Sequence, residues 1–175
     1  MIELSPVTTI FINIIAWFAI HMGMSYIGVQ LSLAFLERDG WICKERVWER
    51  DGKCYEKIWI KRWKDKLPEA GGLYRKGFQK RTLKKYESSY LYRFLLETKR
   101  GELTHWLSIP PAFLFFLWNH PTVGVIMLVY GIIVNLPFIV VQRYNRIRLT
   151  KLLRKKVNVR AKIPSPTFIE EGINQ

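Results

Sequence analysis

Charge is missing from the first long stretch of this chain: Val7 to Leu36, thirty residues, contains no Asp, Glu, Lys or Arg. A helix at a soluble surface needs a polar face, so this run argues against an ordinary globular domain. It is ample to cross about 30 Å of hydrocarbon with some tilt. No basic region precedes it and the apolar character lasts to Phe35 and Leu36, which favours a retained helix over a cleaved signal peptide. Cysteine is scarce too. Cys43 and Cys54 are the only two, both in a basic segment placed in the cytosol, and they read as reduced thiols, neither a disulfide nor a metal site. Also absent are a phosphate-binding glycine loop, a His-x-x-x-x-Asp acyltransferase box, a Gly-x-Ser-x-Gly elbow and any metal-ligand array. Nucleotide hydrolysis, serine-hydrolase chemistry and metal catalysis therefore have no sequence support.

What is present is positive charge, and its distribution is informative. The net charge is +14, and all 28 Lys and Arg lie in two segments: 19 between residues 37 and 106 against 11 acids, and nine between 142 and 175 against two. The stretches between are nearly uncharged. Basic segments that flank apolar spans point to anionic lipid headgroups and phosphorylated cofactors as partners, and away from nucleic acid.

Ser5 and Pro6 form a cap followed by a first-turn proline. Beyond them Asn13, His21, Ser25, Gly28 and Ser32 recur at helical spacing, with Trp17 between, a stripe expected to face protein because an amide or imidazole in hydrocarbon needs a partner. Thr122 to Val141 is a second run of spanning length, with Asn135 and Pro137 in its inner half. Between them Leu103 to Trp118, at about 1.5 Å per residue, is too short to span comfortably as an α-helix; it either crosses with its polar first turn buried in protein or is a re-entrant arm broken at Pro110 and Pro111. Three crossings keep both basic segments in the cytosol and leave Met1 and the Asn119 to Pro121 turn outside. The expected fold is thus an all-α, multi-pass protein of the cell membrane with about three transmembrane helices, the second short, and basic interfacial helices on the cytosolic side. Its divisions are 1–36 (first span), 37–102 (basic region), 103–141 (transmembrane hairpin) and 142–175 (basic tail).

Within the basic region two stretches have helical periodicity. Tyr55, Ile58, Trp59, Trp63 and Leu67 share one face opposite Lys57, Lys61, Lys64 and Lys66, and Leu83, Tyr86, Tyr90 and Phe94 share another beside Lys84, Lys85 and Arg93. An aromatic face opposed by a basic one is the pattern of a helix lying among lipid headgroups. Asp51-Gly52 alternatively closes a hairpin between Val47–Arg50 and Lys53–Ile58. Pro68 and Gly71-Gly72 separate the two helices, and two prolines make the tail after Lys162 irregular.

Three polar clusters are candidates for chemistry. Glu97 to Trp106 leads into the middle apolar segment; Glu102 and His105 are i,i+3 neighbours, as are Glu97 and Arg100. Glu102 can orient the His105 imidazole so that its other nitrogen serves as a general base for a hydroxyl, or these pairs only neutralise one another at the membrane boundary. Gln142, Arg143, Tyr144, Asn145, Arg146 and Arg148 follow the last span; guanidinium groups grip phosphate or carboxylate, while a plain stop-transfer anchor asks only for charge. Asn135, further back on the same helix, is not explained by anchoring. Arg62, Lys64 and Asp65 form the third cluster, either an interfacial helix end or groups that hold a sugar hydroxyl. His21 reads as a packed histidine and His120 as a solvated one.

The string Glu97-Thr98-Lys99-Arg100-x-Glu102-Leu103-x-His105-Trp106, with Ser108-Ile109 and Pro111 after it, resembles the central signature of the glycosyl-4,4'-diaponeurosporenoate acyltransferase family. So do Asn135-x-Pro137, Gln142-Arg143-Tyr144-Asn145-Arg146-x-Arg148-Leu149 and the upstream Arg62-Trp63-Lys64, over roughly residues 55 to 155. The resemblance implies transfer of a fatty acyl group from an acyl thioester (acyl-CoA or acyl carrier protein, with no bound cofactor) to a sugar hydroxyl of a glycosylated carotenoid acid, as in a staphyloxanthin-like pathway. His105 would be the base and Arg100 or Arg143 would stabilise the oxyanion. Two other readings stay open: an enzyme of the same fold acting on another lipid-linked sugar or hydroxylated isoprenoid, and a non-catalytic membrane subunit or lipid-binding chaperone.

Overall fold

A computed structural model describes residues 5–38, 40–67 and 88–162, apart from the side chains of 50, 157 and 159–162. Every regular element among the described residues is helical. Helix α1 (Pro6–Gln30) starts as its sequence suggests: Pro6 opens the first turn and the Ser5 hydroxyl accepts from the Thr8 amide at 3.2 Å. It ends earlier than the apolar run does. Leu31 donates back to the Gly28 carbonyl at 3.2 Å, and Ser32 caps a separate short helix α2 (Leu33–Glu37) by accepting from the Phe35 amide. Ser32 is therefore not part of the α1 stripe, whereas Asn13, Trp17 and Gly28 are buried as that stripe requires.

Residues 40–67 fold as a layer of short turns: 3-10 turns at Trp41–Cys43, Val47–Gly52 and Lys64–Lys66, with α3 (Lys53–Glu56) and α4 (Ile60–Trp63) between. Asp51 and Gly52 take positive φ (58° and 87°), as that dipeptide favours, but they join a 3-10 turn to α3 rather than two strands. The continuous amphipathic helix expected from Tyr55 to Leu67 is broken at Trp59, whose φ is 51°. Both Tyr55 and Ile60 pack against Val141, Tyr144 and Ile147, with Trp63 and Leu67 beside them. Five residues apart they would sit on different faces of one α-helix, so the chain resets its phase between them. The apolar face meets protein, not lipid, and Ile58 and Trp59 turn outward.

Helix α5 (Ser88–Leu107), a break at Ser108–Ile109, a 3-10 helix at Pro110–Leu117 and helix α6 (Pro121–Lys162) form one antiparallel hairpin. Leu91 and Phe94 pack on Leu149, His105 lies beside Asn135, and Ala112 and Phe115 lie near Met127 and Leu128. The second periodic stretch belongs to α5 from Tyr90 onward and faces α6; Leu83 and Tyr86, like Pro68, Gly71, Gly72 and the tail after Lys162, lie outside the described residues. Helix α5 also straddles the 102/103 division, and α6 is one helix of 42 residues that runs through Pro137 and takes in the basic segment up to Lys162. The 3-10 form lengthens the middle segment. Over the eight residues of Pro110–Leu117 a rise of about 2.0 Å, against 1.5 Å in an α-helix, adds about 4 Å, so that Leu103 to Trp118 reaches about 28 Å at most.

Around this hairpin and α1 the usual arrangement is inverted. Ile10, Phe11, Ile14, Ile15 and Phe18 on α1, Phe113, Leu114 and Leu117 on the 3-10 helix, and Val125, Ile126, Val129 and Ile133 on α6 are exposed, while Asn13, Asn119 and Asn135 are buried. Asn13 and Asn119 exchange side-chain hydrogen bonds at 3.0 Å, and the Trp118 indole donates to Asn13 at 2.8 Å. Trp17 packs between Phe115 and Tyr130 with ring centroids 5.0 and 5.3 Å away. Glycine permits these approaches: a Cβ at Gly131 would stand 2.6 Å from the Trp17 ring, and one at Gly28 would stand 2.1 Å from the Thr104 hydroxyl. Helices α1 and α6 are each long and apolar enough to cross a membrane.

Candidate functional site

Below the apolar belt, α5, α6 and the 40–67 layer enclose a charged cluster. Arg143, on the first turns of α6 beyond the belt, is its centre. Its Nε and Nη2 donate to Glu49 Oε1 and Oε2 at 2.9 and 3.0 Å, a bidentate fork. Its Nη1 donates to Glu102 Oε1 at 2.8 Å and to the Ile42 carbonyl at 3.0 Å, and its Nη2 also donates to the Lys44 carbonyl at 3.1 Å. All five guanidinium N–H groups thus have protein acceptors. Arg146 Nη1 takes the second oxygen of Glu102. Glu49 and Glu102 are fully buried, a position a carboxylate occupies only when paired.

Burial alone would raise the Glu49 carboxyl, but hydrogen bonds from Arg143, the Tyr55 hydroxyl (2.5 Å) and the Arg46 amide outweigh it and hold the group below the usual glutamate range. Burial, followed by the bond to Glu49, pushes the Tyr55 phenol up, so Tyr55 stays a donor. Cys43 is buried in the same cluster. Burial and then the Glu102 charge raise its thiol, against the opposing pull of Arg146, Lys99 and Arg143, which makes it a poor nucleophile.

His105 stands on α5 at the edge of this cluster, where the apolar belt begins. Its Nδ1 lies 2.9 Å from Asn135 Oδ1, and its ring stacks on Phe138 with centroids 4.6 Å apart and planes 14° apart. The Asn135 amide nitrogen donates to the Gly131 carbonyl at 2.8 Å, so the amide oxygen must face the imidazole. An oxygen there can only accept. His105 consequently directs an N–H from Nδ1 to that oxygen, which in the neutral ring places the acceptor lone pair on Nε2. The orienting hydrogen bond that spacing assigned to Glu102 comes instead from Asn135, because both Glu102 oxygens are held by arginines.

The other expected pair is present: Glu97 Oε2 lies 3.0 Å from Arg100 Nε, and Glu97 Oε1 accepts from Arg93 at 3.1 Å. Arg100 Nη1 meanwhile donates to the Gly28 and Val29 carbonyls at 3.0 and 2.6 Å, closing the C-terminal end of α1 where unpaired carbonyls gather. The structure therefore gathers Glu102, Arg143 and Arg146 into one cluster with Glu49, pairs Glu97 with Arg100 where α5 meets the end of α1, and joins Asn135 to His105. Tyr144 packs under Tyr55, with its hydroxyl 3.4 Å from Glu56; Gln142 and Asn145 are half-buried on α6. Arg62, Asp65 and Arg148 are exposed; Lys64 is half-buried and pairs with Asp65 at 2.5 Å, and Arg62 and Arg148 lie over the rings of Trp59 and Tyr144. Sequence reasoning missed Glu49, Tyr55 as its donor, and Phe138. Glu49 had only a weak signal, an acid within the basic run Lys44 to Arg50.

The sequence profile of the glycosyl-4,4'-diaponeurosporenoate acyltransferase family matches residues 39–155. Proteins of that name from Staphylococcus aureus strains bovine RF122 / ET3-1 and MRSA252 are 33% and 32% identical over 149 residues, covering 85% of this chain and 90% of each relative. No solved structure matches the chain.

Proposed function

Since the chain belongs to the glycosyl-4,4'-diaponeurosporenoate acyltransferase family, we propose that it esterifies a sugar hydroxyl of a glycosylated carotenoid acid, or a similar membrane lipid, with a fatty acyl group taken from acyl-CoA or acyl carrier protein. The observation that carries this reading is His105: an imidazole whose tautomer is set by Asn135, at the level where the apolar belt meets the charged cluster. A lipid whose chain lies in the bilayer presents its sugar at that level, and holding both reactants there supplies much of the rate advantage.

In this mechanism His105 Nε2 takes the proton of the sugar hydroxyl as its oxygen bonds to the thioester carbonyl carbon. The carbon–sulfur bond then breaks, and the imidazolium returns the proton to the departing thiolate. Negative charge on the carbonyl oxygen falls in the positive field of Lys99, Arg143 and Arg146, which outnumber Glu49 and Glu102 around buried Cys43. With all five donors engaged, Arg143 acts by positioning, holding the 40–67 layer against α5 and α6. Exposed Arg148 and half-buried Lys64 are the cations assigned to a phosphate-bearing donor arriving from the cytosol.

Exposed Phe113, Leu114 and Leu117 on the 3-10 helix, beside the apolar belts of α1 and α6, support lipid around all three segments, and the middle one, about 28 Å long with its α-helical start, makes the third crossing. Both basic segments then face the cytosol. Purified protein in lipid nanodiscs, given a fatty acyl thioester and a glycosylated carotenoid acid, should form the ester by mass spectrometry. Failure with acyl-CoA and acyl carrier protein alike, cured only by a partner enzyme, would favour a non-catalytic subunit.

A further inference from the structure

Five large apolar side chains of the 40–67 layer point away from the protein: Trp41 is 76% exposed, Val47 98%, Trp48 61%, Ile58 50% and Trp59 68%. Only Ile58 and Trp59 belong to the face that periodicity marked, since Tyr55, Ile60, Trp63 and Leu67 pack towards α6. So many large apolar groups in nineteen residues is more than scattered surface hydrophobicity. Cations accompany them: the Arg46 guanidinium lies 4.5 Å from the Trp41 ring centroid and donates to the Trp41 carbonyl, Arg62 lies 5.7 Å from the Trp59 ring, and Lys53 and Lys57 are exposed alongside. Trp59 adopts a left-handed backbone, uncommon for a bulky residue, which turns its indole out while the adjacent Ile60 is fully buried.

The position of the layer identifies what covers this face. It docks on α6 from Val141 onward, about 7 Å along the helix from Leu136, the last exposed large apolar residue of the belt. Exposed Phe35, Trp106 and Leu107 continue the apolar surface at the same end of the bundle. We infer that Trp41, Val47, Trp48, Ile58 and Trp59 form a footprint that lies in the headgroup layer of an anionic membrane, with Arg46 and Arg62 on lipid phosphates. Aromatic rings with one wet edge and arginine beside phosphate are the groups that this layer accommodates. The footprint rests on the reading that α1 and α6 cross the bilayer. It adds that the turns between them are themselves seated in the membrane surface, closing the Glu49–Arg143 cluster from below and leaving the bilayer side as the acceptor's approach to His105.

Nitroxide labels test this on the full chain with Cys43→Ser and Cys54→Ser, in nanodiscs of equimolar phosphatidylcholine and phosphatidylglycerol. Labels introduced by Val47→Cys, Trp48→Cys or Trp59→Cys should collide with oxygen more, and with a water-soluble nickel chelate several-fold less, than a label from Lys155→Cys. Nanodiscs of phosphatidylcholine alone should weaken that protection, and adding Arg46→Ala and Arg62→Ala should remove the difference between the two lipids. A label from Ile126→Cys reports on the span itself. Nickel access at Val47 and Trp59 equal to that at Lys155, with Ile126 shielded, overturns the footprint and leaves the crossings intact; nickel access at Ile126 overturns the crossings. Protection of Val47 from both oxygen and nickel would mean that a protein covers the face, which also overturns the proposal.

Discussion

Arg143 and Glu49 lie 94 residues apart in the chain, yet the guanidinium grips the carboxylate with two parallel hydrogen bonds of 2.9 and 3.0 Å. This fork ties the 40–67 layer to α6, and the third nitrogen ties both to Glu102 on α5. Removing either partner strands a buried charge. Glu49→Leu or Arg143→Met alone should cost about 3–5 kcal/mol, and the double variant should recover a large part of that loss. Thermal unfolding in detergent, followed by retention in the monodisperse fraction, measures all three. Additive losses would show that the pair is not coupled.

The same fork predicts an acid-sensitive fold. A carboxyl held below its ordinary value of 4.5 stabilises the folded state at higher pH and loses that contribution as pH falls from 4.5 through its lower folded value. The melting temperature of the native protein should therefore drop on acidification through that window. Glu49→Gln should start lower at neutral pH and respond less. Parallel pH profiles for the two proteins would assign the sensitivity to another group.

At His105 the structure separates chemistry from support. His105→Gln should lose on the order of a hundredfold or more in turnover while the protein still inserts and stays monodisperse. Asn135→Leu keeps the size of the side chain but removes the acceptor facing Nδ1, so kcat should fall with little change in KM; Asn135→Asp, which retains an acceptor, should lose less. Glu102→Gln should mainly lower stability. Near-normal turnover in His105→Gln would move the base elsewhere.

Gly28 is a steric test of how α1 meets α5. A Cβ there would stand 2.1 Å from the Thr104 hydroxyl and 3.2 Å from its Cβ. Gly28→Ala should destabilise by about 1–3 kcal/mol, as overpacking does, and Thr104→Ala in the same chain should relieve much of it. Equal stability of Gly28→Ala and the native protein would rule out the close approach. The same change at Gly23, where nothing lies within 4 Å, should be tolerated.

The chain's own pattern carried the helical character, the cap at Ser5, the buried stripe through Asn13 and Trp17, and the polar groups gathered near Glu97 to His105. Each follows from local spacing or from charge, which act over one or two helical turns. The Glu97–Arg100 pair was legible for that reason. The partnership of Glu102 with His105 was equally plausible by spacing, but a carboxylate goes to the strongest donors in reach, and those came from Arg143 and Arg146 on another helix.

By itself, then, the sequence determined where charge is absent and where it collects, and hence which parts of this protein suit lipid and which suit the polar boundary. Only the tertiary structure decided which polar groups meet: Glu49 with Arg143, Asn135 with His105, Arg100 with the end of α1. It also turned the expected aromatic helix into a broken layer, because Tyr55 and Ile60 both had to reach α6. The physical reason is one of range. Apolar runs and charge segregation are local properties of the chain, whereas the hydrogen bonds of a buried ion cluster depend on how helices far apart in sequence come to pack.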